Sequence, residues 1–227
     1  MHDKLDFAVS DLISKRLKER GVRCFANDCI ADHIEPGELD QLEDELTTKM
    51  EGVLDSLLID REEDHNTRGT ARRMARMYLR EVFSGRYQRA PRLKDFPNVK
   101  KLDELYVLGP IAVRSACAHH LCPIEGNLWC GVVPSDKVIG ISKFARIADW
   151  VMSRPQIQEE AIVQLADFLQ DTMRPLGLGV TLKARHACMT WRGVKQTHTV
   201  MTSSVMRGII REGPSARAEF LAFVNGG

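Results

Sequence analysis

Apolar positions recur at helical spacing through the first third of the chain and at strand spacing beyond it. Leu5, Val9, Leu12, Ile13 and Leu17 share one helix face, and Gly21 stands after Lys18-Glu-Arg as a stop. Residues 22–36, which hold Cys24, Asn27, Asp28, Cys29 and Pro36, have no period and read as a connector. Leu39, Leu42, Leu46, Met50, Val53, Leu54 and Leu57 mark a second amphipathic helix. Residues 60–66, Asp-Arg-Glu-Glu-Asp-His-Asn, form a charged linker without an apolar anchor. A third helix is predicted over 68–84, carrying Met74, Met77, Tyr78, Val82 and Phe83, with Gly85 placed to end it.

After a Pro/Lys-rich loop at 89–101 the pattern predicts short strands at 104–116 and 126–134, edged by Gly or Pro. Ser142 is placed to cap a helix containing Phe144, Ile147, Ala148 and Val151. Pro155 is placed to start a longer one, with Ile157, Ala161, Leu165, Phe168 and Leu169 on one face. Pro175-Leu-Gly-Leu-Gly breaks it. Val180 to Trp191 and Thr197 to Met206 read as two further strands, and 215–224 as a closing helix. The order is helices, two strands, two helices, two strands: an α+β domain with an antiparallel sheet, preceded by a helical extension. We place the extension at 1–60 and the α+β domain at 61–227.

Composition narrows the class. The 227 residues carry 32 basic and 31 acidic side chains, which argues against a protein built to coat nucleic acid or an anionic membrane. No run of 18 apolar residues offers a transmembrane helix, and the start lacks the basic and apolar regions of a signal peptide. A cytoplasmic chain is expected. In that compartment its six cysteines read as ligands, nucleophiles or buried thiols rather than disulfides.

The most informative segment is Cys117-Ala-His-His-Leu-Cys122. Cys117 and His120 have a common zinc-binding spacing, and Cys188, in Arg185-His-Ala-Cys-Met189, is a third candidate ligand. If that segment is a strand, His186 and Cys188 share a face and enter one pocket. Three protein ligands leave a position open for water, which a metal makes more acidic. His119 and His186 are then non-ligand imidazoles suited to carrying protons. The competing reading is a closed structural site with Cys122 as fourth ligand. The Pro-Cys-x-x-Cys of a nucleobase deaminase is absent.

Six ordered blocks carry a resemblance. They are Thr70-Ala-Arg-Arg-Met-Ala-Arg-Met-Tyr78, Cys117-Ala-His-His120, Ile139-Gly-Ile-Ser-Lys-Phe-Ala-Arg146, Arg154-Pro-Gln-Ile-Gln-Glu159, His186-Ala-Cys-Met189 and Arg192-Gly193. Across roughly 60–225 the chain resembles GTP cyclohydrolase I, the zinc enzyme that opens pterin biosynthesis. The resemblance implies the tunnelling fold (T-fold), a four-stranded antiparallel sheet backed by two long helices. It also implies a decamer of two pentameric rings with active sites at subunit interfaces.

On that resemblance Cys117, His120 and Cys188 are zinc ligands, and His186 and His119 are the catalytic histidines, assisted by Ser142. GTP is the substrate. Lys143, Arg146, Arg192 and Arg73 are the phosphate cations, with Arg76 the weaker candidate one turn on. Glu159 would accept two hydrogen bonds from guanine, a pair adenine cannot offer, with Gln158 a neighbouring polar contact. The expected reaction releases formate and gives 7,8-dihydroneopterin triphosphate, for a folate, tetrahydrobiopterin or 7-deazapurine pathway. One departure stands out: Ala118 replaces the family's Glu. A paralogue with another purine nucleotide or a truncated reaction, and a non-catalytic zinc-stabilised module, are the alternatives.

Overall fold

The structure is a computed structural model that describes residues 8–226; Leu5, the first apolar position of the opening helix, lies outside the described residues. The chain divides into two compact units, one ending at Arg89 and the other beginning at Ala90.

In the first unit α1 (Val9–Glu19) buries Val9, Ile13 and Leu17, the apolar stripe of the sequence, and Gly21 leaves the helix at φ +62°. These side chains pack with Ile30, Val22, Ile34, Leu42 and Tyr87. Helix α2 (Glu38–Ser56) begins with a buried carboxylate. Glu38 accepts from Arg16 Nη1 at 2.8 Å and from the Glu35 amide at 2.7 Å. Arg16 also donates to the carbonyl of His33, so one guanidinium fastens α1 to the loop before α2. The third predicted helix is divided: α3 (Thr70–Arg76) runs into a π-helical stretch at Met77–Val82 and then a short α4 (Ser84–Tyr87). Gly85 is buried inside α4 instead of ending the helix; the break falls at Phe83, which has left the helical region.

The second unit contains, in chain order, β1 (Asp95–Pro97), β2 (Tyr106–Cys117), β3 (Pro123–Val133), β4 (Lys137–Ile139), α5 (Ile141–Met152), β5 (Pro155–Gln156), α6 (Gln158–Met173), β6 (Gly177–His186), α7 (Ala187–Thr190), β7 (Met201–Gly208), α8 (Ile209–Glu212) and α9 (Pro214–Gly226). The main sheet has the order β5-β2-β3-β6-β7. Its four long strands are antiparallel, and the two-residue β5 adds a parallel edge beside the end of β2. The small β1–β4 pair stands apart from it.

Helices α5 and α6 cover the sheet through Phe144, Ile147, Val151, Leu165 and Leu169, which pack with Leu128, Val132, Val180 and Leu182. Helix α9 covers the opposite face with Phe220. Gly131 and Gly179 sit opposite each other on β3 and β6, and a Cβ on either would meet the Phe220 ring, at 2.5 and 2.9 Å. The missing side chains make room for the ring.

Three local expectations are corrected. Pro155 does not open a helix: it lies in edge strand β5, where its missing N–H costs nothing, and α6 begins at Gln158. Ser142 is not a cap; Gly140 holds that position and Ser142 is the second helical residue. The strand expected over 180–191 stops at His186, because its partner β3 begins at Pro123 and the last register pair is Ile124 with His186. Beyond that pair no neighbouring strand remains, and the chain coils into α7.

Candidate active site

The ends of β2 and β6, the start of α6 and the short α7 carry most of the candidate thiols, imidazoles and carboxylates. The β2–β3 hairpin closes with the Cys117 amide donating to the Cys122 carbonyl at 2.8 Å and the Leu121 amide donating to Cys117 at 2.8 Å. Leu121 takes φ +54° to make the turn. Cys117 and Cys122 are both buried, whereas His119 and His120 are exposed in the loop between them.

Cys188 comes to this hairpin from α7 and not, as expected, from a strand shared with His186. Its thiol is pushed up from the ordinary value, first by burial, then by the adjacent Cys117 thiol and by Cys122. The three sulfurs therefore belong to one neighbourhood. His119 Nδ1 lies 3.7 Å from Cys117 Sγ.

His120 faces elsewhere. Its Nε2 is 3.1 Å from Nη1 of Arg192. A guanidinium only donates, so the imidazole nitrogen accepts and its lone pair is engaged. Among the described residues no three His, Cys, Asp or Glu side chains are gathered as a metal-holding group. The donor chemistry nevertheless suits zinc: two neighbouring thiols with an imidazole beside them are the sulfur and nitrogen ligands that ion takes.

His186, at the end of β6, is half-buried. Burial pushes its imidazole down from the ordinary value, and the carboxylate of Glu159 opposes that. Its Nε2 is 2.7 Å from Oε1 of Gln158, the first residue of α6. Gln158 is buried and Glu159, next to it, is exposed. A cavity of about 250 Å³ lined by Pro123, Glu125, Arg185, Ala187 and Thr190 lies against α7.

The structure thus brings Cys117, Cys188 and His119 together, and His186 with Gln158 and Glu159. Ser142, Lys143 and Arg146 occupy the first turns of α5, and among the described residues no hydrogen bond or ion pair joins them to the thiols or histidines. Arg73 is on α3 in the first unit, where its Nη2 donates to the Asn66 carbonyl at 3.0 Å. Arg76 is exposed on the same helix. Cys130 is not a site thiol: it is wholly buried in β3, and burial pushes it up to about 12. Sequence reasoning missed two partnerships, Arg192 with His120 and Gln158 with His186. Neither has a local sequence signal, since 72 and 28 residues separate the partners.

The chain matches the GTP cyclohydrolase I family over residues 46–225. It belongs to that family. The GTP cyclohydrolase 1 of Hahella chejuensis is 44% identical over 123 residues, which cover 54% of this chain and 65% of that protein. The GTP cyclohydrolase 1 of Aeromonas salmonicida is 32% identical over 82% of this chain and 85% of its own length. That of Vibrio cholerae is 35% identical over 76% and 79%. The family match takes in every block that carried the resemblance, from Thr70 to Gly193. No helix among the described residues is long and apolar enough to cross a membrane.

Proposed function

We propose that this chain, as a member of the GTP cyclohydrolase I family, hydrolyses the imidazole ring of GTP at C8, releasing formate and forming 7,8-dihydroneopterin triphosphate. The observation that carries the reading is the meeting of the Cys117 and Cys188 thiols beside the imidazole of His119, with His186 at the end of β6, the strand that leads into α7. This is one place where acid–base groups and metal donors stand together.

Cys117, His120 and Cys188 would hold zinc. Bound there, the ion supplies Lewis acidity, which makes hydrolysis at carbon feasible near neutral pH. The chain's own residues do the rest. Glu159, exposed at the start of α6, receives the guanine edge. Lys143, Arg146, Arg192 and Arg73 hold the triphosphate, Gln158 is a polar neighbour, and backbone N–H groups at the start of α5 add to the phosphate field. His186 moves a proton to and from the purine ring nitrogen; its lowered proton affinity leaves the imidazole largely neutral near pH 7, able to accept or relay. His119 and Ser142 assist later proton transfers. Ala118 leaves this ring of groups without the family's carboxylate.

The remaining parts of the reading follow the family. Residues 61–227 form the catalytic domain in a T-fold, preceded by an extension at 1–60. The protein is a cytoplasmic decamer of two five-membered rings, and its product enters a folate, tetrahydrobiopterin or 7-deazapurine pathway. Incubating the purified protein with GTP and zinc, and assaying formate together with a fluorescent pterin, tests the reading. Both products support it. Formate with a ring-opened purine and no pterin would assign a truncated reaction, and neither product would point to a non-catalytic module.

A further inference from the structure

Gln158 is almost wholly buried, with 1% of its surface exposed, at the first position of α6. Its amide nitrogen is surrounded by three oxygens: the Leu182 carbonyl at 3.2 Å, the Met201 carbonyl at 3.2 Å and Ser203 Oγ at 2.8 Å. Carbonyls only accept, so the atom facing them must be the NH₂ group. A flipped amide would set its own oxygen against two carbonyl oxygens in a buried site, leaving acceptors unpaired. The orientation is therefore decided by β6 and β7, not by the histidine.

The consequence falls on His186. Its Nε2 stands 2.7 Å from the Gln158 Oε1, an atom that can only accept. Nε2 must then carry the hydrogen. We propose that Gln158 is a positioning residue, which holds His186 as the Nε2–H tautomer and leaves Nδ1 as the nitrogen that exchanges a proton with the substrate. Two strands clamp the glutamine, the glutamine orients the ring, and the ring faces the chemistry. This replaces the expectation that Gln158 touches the nucleotide, and it rests on the proposed role of His186.

The logic is the general one for catalytic histidines, in which the hydrogen bond at one ring nitrogen determines what the other can do. It separates two kinds of residue at the start of α6. Glu159, exposed, is free to meet the substrate, while Gln158, one position earlier, is committed to the protein interior.

The test has two arms. Protein labelled with ¹⁵N-histidine, with the His186 signal identified by its loss in His186→Gln, should show the nitrogen shifts of a fixed Nε2–H ring in the wild type. An Nδ1–H ring, or two tautomers in exchange, overturns the proposal without any variant of Gln158 having to fold. In the second arm Gln158→Met should lower kcat on GTP by about 10²-fold with KM unchanged within about twofold, as a misplaced catalytic group does. A raised KM with kcat retained would return Gln158 to the substrate contacts and overturn the proposal. Wild-type protein that releases no formate from GTP would remove the proposed function, yet the tautomer measurement would still decide the role of Gln158.

Discussion

Arg192 donates a hydrogen bond to the Nε2 of His120 across 3.1 Å, so the lone pair that a metal would take is held by a cation that a phosphate would take. The two candidate roles are linked at one contact. Arg192→Ala should leave zinc content unchanged or higher, because His120 loses a competitor. The same variant should raise KM for GTP about 10- to 100-fold, the worth of one charged hydrogen bond. Metal analysis and steady-state kinetics on one preparation check both halves. Loss of zinc would show that Arg192 supports His120 as a ligand partner instead.

Zinc uptake should depend on pH with a definite sign. The Cys188 thiol is raised above the ordinary value of 9.0, chiefly by burial, with Cys117 and Cys122 adding to it. A thiolate is the ligand, so protons compete with the metal, and a raised thiol value extends that competition to higher pH. Apparent zinc affinity should climb steadily from pH 6 to pH 8, with protons released on binding, as read by chelator competition. Cys188→Ala should abolish zinc retention and turnover together. His186→Ala should keep zinc and lose about 10²- to 10⁴-fold in kcat.

The first unit has its own pH signature. Hydrogen bonding from Arg16, helped by the Glu35 amide, holds the Glu38 carboxyl below its ordinary 4.5, against the opposing effect of burial. A carboxylate depressed in the folded state stabilises above the unfolded value and loses that contribution as pH falls through the folded one. Glu38→Gln should therefore lower the thermal midpoint at pH 7, and the gap from wild type should shrink below about pH 4. An unchanged gap in scanning calorimetry would show that the pair contributes through shape alone.

Much of this architecture was legible in the residues. The apolar stripe of α1 and the face of α6 follow directly from periodicity, because each buries one side against the core of its own unit, whereas the long strands, covered by helices on both faces, show as β-rich runs edged by Gly or Pro. What escaped has a physical cause. The two-residue β5 exists only because β2 offers it an edge, and α7 replaces the end of a predicted strand because β3 starts too late to pair with it. The cysteine and histidine spacing singled out candidates, but a spacing cannot say that His120 turns to Arg192 or that Gln158 is clamped by Ser203. Those are choices of tertiary packing.

The sheet's second face makes a packing prediction. Phe220 fills the space that Gly131 and Gly179 leave open on adjacent strands. Gly131→Ala should destabilise the second unit by about 1–3 kcal/mol through overpacking. Phe220→Ala should cost about 3–5 kcal/mol through the cavity it leaves. Combined with Phe220→Leu, Gly131→Ala should be better tolerated than alone. Urea denaturation of these variants and of Phe220→Leu alone closes the cycle, and strict additivity of Gly131→Ala and Phe220→Leu would contradict the direct contact.

Opening of GTP at C8 has a direct readout in the fate of that carbon. The most direct measurement follows GTP carrying ¹³C at that carbon by ¹³C NMR, with zinc-loaded wild type and His186→Ala side by side. The label should leave the purine and appear as formate with wild type, at a rate at least about 10²-fold above the variant. A label that stays in an intact imidazole ring with zinc-loaded wild-type protein would contradict it.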